Sequence, residues 1–139
     1  MYQLKVSEEQ AQVITDALEL YARVGMGQLD HIGEHPDLQM RILKREEISF
    51  DTIRSILEMV KQTVFDLPPN VYHSLGCPEI SDKNRVAYDL VQVIRHRLFW
   101  DRAETRAKSD DGVVVGVVYD NTPMHFAKEP LATIDRIDL

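Results

Sequence analysis

The chain has 139 residues, of which 44% are hydrophobic and 28% are charged, and its formal net charge is −7. This length and composition are typical of a globular protein, so we expect residues 1–139 to fold as a single domain. The acidic balance excludes a general coat for nucleic-acid polymers, because duplex binding uses a basic surface.

The sequence also indicates a compartment. It has no apolar run close to the ~20 residues that a membrane span requires, and its N-terminus lacks the pattern of a signal peptide. Cys77 is the only cysteine, so no internal disulfide can form, which fits a reducing environment. We therefore expect a cytoplasmic protein that does not associate with a membrane.

The first predicted elements are a short strand and a long helix. Apolar and polar residues alternate over 2–6, which is typical of a strand. A capping-box pattern follows, with Ser7 three residues before Gln10. Apolar residues then keep a helical period to about residue 33, which predicts one long helix.

The middle of the chain predicts a helix between two weaker segments. Residues 37–50 mix apolar and charged side chains and allow a short helix. Asp51 is the predicted cap of a helix that stops before Pro68, because proline restricts the residue before it. The apolar positions of this helix are Ile53, Ile56, Leu57, Val60 and Val64. Residues 67–80 contain three prolines and predict a long loop.

The last predicted elements are a long helix and a strand. The helix starts near Ser81 or Asp82, and its core stripe is Ala87, Leu90, Val91, Ile94 and Leu98. Residues 113–119 predict a strand, and 131–139 predict a further short strand or a surface tail. We expect a mainly α (α+β) domain: three or four helices, with a small sheet formed by the N-terminal strand and the C-terminal strand or strands.

The long C-terminal helix places arginines and aromatic residues in one stripe. Residues 82–108 carry a net charge of +3 in an acidic chain. Four residues return to within about 40° of the line through Arg95, and Gln92 lies at the edge of that stripe. The four are Tyr88, Phe99, Arg102 and Arg106. Such a surface suits a small anionic ligand, since guanidiniums bind phosphates and flat rings stack on bases. The alternative is a solvated face whose arginines pair with acidic residues elsewhere in the chain.

A second candidate surface lies near Gly25 and Gly27. Each glycine costs about 1 kcal/mol relative to alanine within a helix, which indicates close approach of another backbone or a ligand, or a local distortion. Tyr21 and Gln28 then form a pocket wall in which the ring stacks and the amide reads a base edge. Alternatively, Gln28 bonds to a carbonyl at a tight helix crossing.

The segment His31–His35 matches an H-x-x-E-H zinc pattern, in which two histidines on one helix face hold the metal. Here the match falls at a predicted helix end, with Gly33 inside it, so we expect an incidental match. We expect no metal, no cofactor and no enzymatic activity.

Trp100 points away from the Arg95 line, and this second apolar side of the helix indicates a homo-oligomer.

Two segments resemble a family of small proteins of tailed phages, namely YARVGMGQ at 21–28 and DLVQVIRHRLFWD at 89–101. The resemblance covers about 7–33 and 85–102. Phages also encode compact helical oligomers that act as sponges for the cyclic nucleotide signals of bacterial immunity, and this chain looks like a member of that class. The resemblance implies capture, without catalysis, of a cyclic di- or oligonucleotide such as a cyclic GMP-AMP-type dinucleotide.

Each type of side chain has a predicted role in such capture. Guanidiniums neutralise the phosphates, rings stack on the bases and amides read base edges. The predicted ligand-binding residues are Tyr21, Arg23, Gln28, Tyr88, Gln92, Arg95, Phe99 and Arg102. One alternative is a protein-interaction module that inhibits a host protein, with its acidic surface steering it to a basic partner. Another is a metal-dependent hydrolase that uses His31 and His35.

Overall fold

The apolar segments fold into helices in a computed structural model that describes residues 2–109 and 122–137. Five helices lie within these residues: α1 (Glu8–Gly25), α2 (Asp30–Gly33), α3 (Pro36–Leu43), α4 (Phe50–Phe65) and α5 (Asp82–Ser109). The mainly helical part of the predicted fold is therefore confirmed, whereas the predicted number of three or four helices is too low for the described residues. None of the described helices is long and apolar enough to cross a membrane.

The predicted small sheet is wrong for the residues that the structure describes, because they contain no β-strand. Residues 2–6 form no ladder, and Tyr2 and Leu4 are exposed. The alternating pattern is a local signal, whereas a strand also needs a partner to satisfy its backbone groups. Residues 131–137 of the predicted C-terminal strand or tail likewise form no regular secondary structure. The strand predicted at 113–119 lies outside the described residues.

Local hydrogen bonds set both ends of α1. Ser7 and Gln10 form the predicted capping box, in which each side chain accepts a hydrogen bond from the other backbone N–H at 2.9 and 3.2 Å. The prediction of one helix to residue 33 is wrong. Gly27 has φ +80°, and the N–H of Gln28 donates to the carbonyl of Arg23 at 2.9 Å. This is the six-to-one bond of a Schellman motif, which ends a helix.

The ends of α4 have equally local causes. Ser49, not the predicted Asp51, is the N-cap, and its hydroxyl accepts from the N–H of Thr52 at 3.1 Å. Asp66 follows the helix in the left-handed conformation with φ 53°. The helix thus stops before Pro68, as predicted.

The chain divides into two compact units. Unit 1 combines residues 1–19 with residues 85–139, and unit 2 is Leu20–Asn84. The expectation of a single domain stays a prediction.

Unit 1 has a core built from α1, α5 and the C-terminal segment. Ala11, Ile94 and Leu98 are buried, and partly buried Ile14, Leu18 and Ile134 pack against them. The predicted core stripe of α5 is confirmed, since four of its five residues are buried and Leu90 is partly buried.

Unit 2 explains the need for Gly25. The buried amide of Asn84 donates to the carbonyls of Ala22 and Tyr21 at 3.2 and 3.4 Å. A Cβ on Gly25 would lie 1.4 Å from the Asn84 amide nitrogen. The glycine therefore permits the close approach of a side chain, whereas the sequence predicted the approach of a backbone or a ligand at this position.

Candidate functional sites

The arginine stripe of α5 lies against the acidic side of α1. Arg95 forms an ion pair with Glu19, and Arg102 donates to Glu8 at 2.7 Å and to Gln12 at 3.0 Å. The partner residues on α1 follow one another at spacings of four and seven residues, so these partners lie on one face of α1. This is the arrangement of the alternative interpretation, in which the arginines pair with acidic residues. A phosphate at this stripe would have to replace the carboxylates.

The aromatic members of the stripe make intramolecular ring contacts. Tyr88 meets Phe126 edge-on with ring centroids 5.8 Å apart, and Phe99 meets Trp100 at 5.4 Å. Tyr88, Phe99 and Gln92 are all partly buried. Two rings predicted to stack on bases are thus already in contact with neighbouring side chains.

The third predicted group lies at the end of α1. Arg23 donates to Gln28 at 2.8 Å, and Tyr21 is 50% exposed. The Arg23–Gln28 bond spans the same two residues as the Schellman bond, so it closes the helix end with a side-chain contact. The structure therefore gives this guanidinium and amide a structural role.

The eight predicted ligand residues divide between the units. Unit 2 holds Tyr21, Arg23 and Gln28, and unit 1 holds Tyr88, Gln92, Arg95, Phe99 and Arg102. Their assignment to one ligand stays a prediction.

Unit 1 contains a cavity of about 450 Å³ between α5, the segment before α1 and the C-terminal segment. Its charged lining residues are Lys5, Glu8, Arg97, Asp101, Asp135 and Arg136. Arg97 donates to Asp101 at 3.0 Å, and this bond raises the pKa of the guanidinium above its ordinary value. The five predicted ligand residues of unit 1 are not among its lining residues. The cavity was not predicted, since its walls come from segments distant in the sequence.

Unit 2 contains a smaller cavity of about 190 Å³. Lys61 on its wall is 3% exposed, and its Nζ lies 2.9 and 2.8 Å from the two carboxylate oxygens of Glu58. Gln28, His31 and Tyr72 also line it. Because the lysine charge is matched by Glu58, this cavity does not favour an anion.

The H-x-x-E-H segment does not form the helical platform of a zinc hydrolase. His31 lies in the four-residue α2, whereas His35 is the extended N-cap residue of α3. His31 pairs instead with Glu34 at 2.8 Å between Nδ1 and Oε2. The two histidines do not share one helix face, so the match is incidental in geometry.

A face of α4 exposes large apolar side chains. Ile56, Met59, Val60 and Val64 are 50, 66, 42 and 69% exposed. Ile53 and Leu57 are partly buried, and they lie on the side that meets Gly33 of α2. The five apolar positions predicted for this helix share one side of it, but only Ile53 and Leu57 are covered there, and Val64 of the same side is exposed in the last turn. In α5, by comparison, the predicted second apolar side has a buried Val93 and a Trp100 that is 43% exposed.

Sequence reasoning also missed a cluster in the loop after α4. The Sγ of Cys77 lies 3.4 Å from Nδ1 of His73 and donates to Oε2 of Glu79 at 2.6 Å. That hydrogen bond lowers the pKa of the Glu79 carboxyl below its usual value. The signal that could have revealed the cluster is the H-x-x-x-C-x-E spacing in a proline-rich loop.

Comparison of the chain with protein-family models, curated proteins and solved structures found no match. The resemblance to a tailed-phage family stays a prediction.

Proposed function

We propose that the chain is a non-catalytic binding protein that acts as a homo-oligomer. The observation that carries the proposal is the exposed apolar face of α4. A contiguous exposed apolar surface marks an interaction site, whereas an ordinary solvated helix face is mostly polar. The proposed occupant of the face is the same face of a second copy.

The chemistry of the face favours pairing with itself. On a helical wheel, Thr52, Ile56, Met59, Val60 and Thr63 lie within about 100° of one another, and Val64 extends this arc. All six residues are uncharged. Two copies related by a twofold axis therefore meet through the same patch without placing like charges in direct contact. The repulsion between two chains of charge −7 is screened beyond about 8–10 Å in physiological salt.

Native mass spectrometry of the purified chain tests this proposal. We expect multiples of the 16.0 kDa chain mass, and monomers for the double variant Met59→Lys with Val64→Lys. A matched control places lysines at exposed Ser55 and Gln62 of the same helix, outside the apolar arc, and should keep the oligomer. A folded wild type that is monomeric at about 100 μM would contradict the proposal. Its dissociation constant would then exceed about 100 μM, so association would contribute less than about 5.5 kcal/mol.

A second candidate function is capture of a small anionic ligand of the cyclic nucleotide class by this protein. The observation that favours it is the cavity of unit 1, whose volume of about 450 Å³ falls within the range of about 300–1,000 Å³ for small-molecule sites. Lys5, Arg97 and Arg136 supply cationic groups beside apolar lining residues. Three carboxylates of the same lining offset these charges, so an anion would have to replace Asp101 as the partner of Arg97. No aromatic side chain is among the described lining residues, so recognition would depend on phosphate contacts and apolar packing.

Titration calorimetry with a panel of cyclic dinucleotides tests the second candidate. Arg136→Gln should weaken binding by about 10-fold or more, because it removes one charge-assisted phosphate contact. Arg102→Gln is the matched variant on the α5 stripe and should leave the affinity unchanged. Loss of binding in Arg102→Gln alone would place the ligand on the stripe, and no heat across the panel with folded protein would reject capture.

A further inference from the structure

We propose that His73, Cys77 and Glu79 form a binding site for one zinc ion per chain. The ligand atoms are the imidazole Nδ1, the thiol Sγ and a carboxylate oxygen, and they all lie within 4.8 Å of one another. Nitrogen, sulfur and oxygen ligands of this kind are those that Zn²⁺ takes in proteins. Three protein ligands leave a fourth tetrahedral position for water or another small ligand.

The distances suit a tetrahedral ion. Bonds of about 2.3 Å to sulfur and about 2.0 Å to nitrogen separate these two atoms by about 3.5 Å. The His73–Cys77 separation of 3.4 Å is close to that value. Oε2 of Glu79 lies 2.6 Å from the sulfur and would move away by about 1 Å. Because Glu79 is exposed, its side chain has room for this movement.

Proton transfer accompanies the binding. The Cys77 thiol donates its hydrogen to Glu79 in the metal-free site. A zinc ion takes the place of that hydrogen: the S–H bond breaks, a zinc–thiolate bond forms and one proton leaves to solvent. The carboxylate that accepted the hydrogen then faces the cation. The hydrogen-bonded trio thus already points its ligand atoms at one volume.

The loop that carries the ligands is held in place by its neighbours. Leu75 and Ile80 are 8% and 3% exposed, so the loop is anchored between the ligands and directly after Glu79. The N–H of His73 donates to the carbonyl of Met26 at 2.9 Å, and the N–H of Cys77 donates to Ser74 at 2.9 Å. A site whose backbone is already ordered loses less entropy when it binds a metal.

The same geometry disfavours a nucleophilic cysteine. In a catalytic Cys–His pair, a third polar group orients the imidazole, and the imidazole takes the thiol proton. Here Glu79 accepts directly from the thiol. Because the thiol donates to the carboxylate and no third group among the described residues is placed to orient the imidazole for proton transfer, a metal ligand set describes this cluster better than a catalytic one.

Cobalt(II) and zinc titrations of the reduced full-length chain test the site. We expect one Co²⁺ per chain and a near-ultraviolet charge-transfer band that reports a cobalt–thiolate bond. Cys77→Ser should abolish the band and weaken Zn²⁺ binding by about 100-fold, and Glu79→Gln should weaken it by about 10-fold. His31→Gln is the matched control and should change the affinity by less than about twofold.

Three results would overturn the proposal. They are the absence of bound metal in folded wild type, a thiolate band that survives Cys77→Ser, and binding that is lost in His31→Gln but kept in Glu79→Gln. Circular dichroism of each variant reports whether it has folded. Glu79→Gln changes an exposed side chain by one atom. Its zinc affinity therefore tests the site even where Cys77→Ser disturbs the loop.

Discussion

Asp89 shows how one buried carboxylate fixes a segment of unit 1. It is 4% exposed, and its oxygens accept from the N–H of Phe126 at 2.9 and 3.1 Å and from the N–H of Ala127 at 2.9 Å. His125 Nε2 lies 3.8 Å from the same carboxylate. Buried N–H groups need acceptors, so this residue holds the C-terminal segment against α5.

We predict that Asp89→Asn lowers the free energy of unfolding by about 2 kcal/mol. The substitution turns one acceptor oxygen into an N–H donor that faces another donor. Asp16→Asn is the matched control, because Asp16 is exposed and its remaining oxygen still accepts from Gln12. Urea denaturation measures the free energy of unfolding of both variants. Equal values would show that the hydrogen bonds of Asp89 do not stabilise the fold.

At the scale of elements, two glycines complete the end of α1 in different ways. Gly27 adopts φ +80° and allows the Schellman bond, whereas Gly25 leaves room for the Asn84 side chain. The Ser81 hydroxyl accepts from the N–H of Asn84 at 3.3 Å in the first turn of α5 and donates to the side-chain oxygen of Asn84 at 3.1 Å. The start of α5 and the end of α1 therefore share one hydrogen-bonded amide.

We predict that Gly25→Ala destabilises the protein by about 3 kcal/mol despite the better helix propensity of alanine. The new Cβ displaces the Asn84 amide and leaves carbonyls of α1 without that donor. Gly33→Ala is the matched control, since a Cβ there would lie 3.6 Å from Leu57, an ordinary contact. Thermal melts of both variants test this pair, and a neutral Gly25→Ala would contradict the role of Asn84.

At the scale of the whole molecule, the proposed oligomer links stability to concentration. Association of folded chains stabilises them by mass action. We predict that the thermal midpoint of the wild type rises by about 5 °C over a 100-fold increase in concentration. The Met59→Lys with Val64→Lys variant should show a constant midpoint. Differential scanning fluorimetry at several concentrations measures both, and a concentration-independent wild type would argue against self-association.

The phage-sponge interpretation belongs to this scale as well. Its arginines were correctly placed on one face of α5, but their partners could not be identified from α5 alone. Glu8 and Glu19 are more than seventy residues away in sequence. An ion pair between distant residues leaves no periodic signal. The nucleotide hypothesis therefore stays a prediction for calorimetry to decide.

The sequence by itself determined the features that depend on neighbours within a few residues. The Ser7–Gln10 capping box, the stop before Pro68 and the core stripe of α5 all follow from local hydrogen bonds and helical periodicity. The short segment at 2–6 shows the limit of such signals, because alternation alone does not supply a partner strand.

Only the tertiary structure decided which of several apolar or charged faces is covered. Ile53, Leu57 and Val64 lie on one side of α4, and burial against α2 covers the first two while Val64 remains exposed. His73, Cys77 and Glu79 met because a loop folded back on itself. Burial and side-chain pairing depend on contacts between segments, and periodicity within one segment carries no information about its partner.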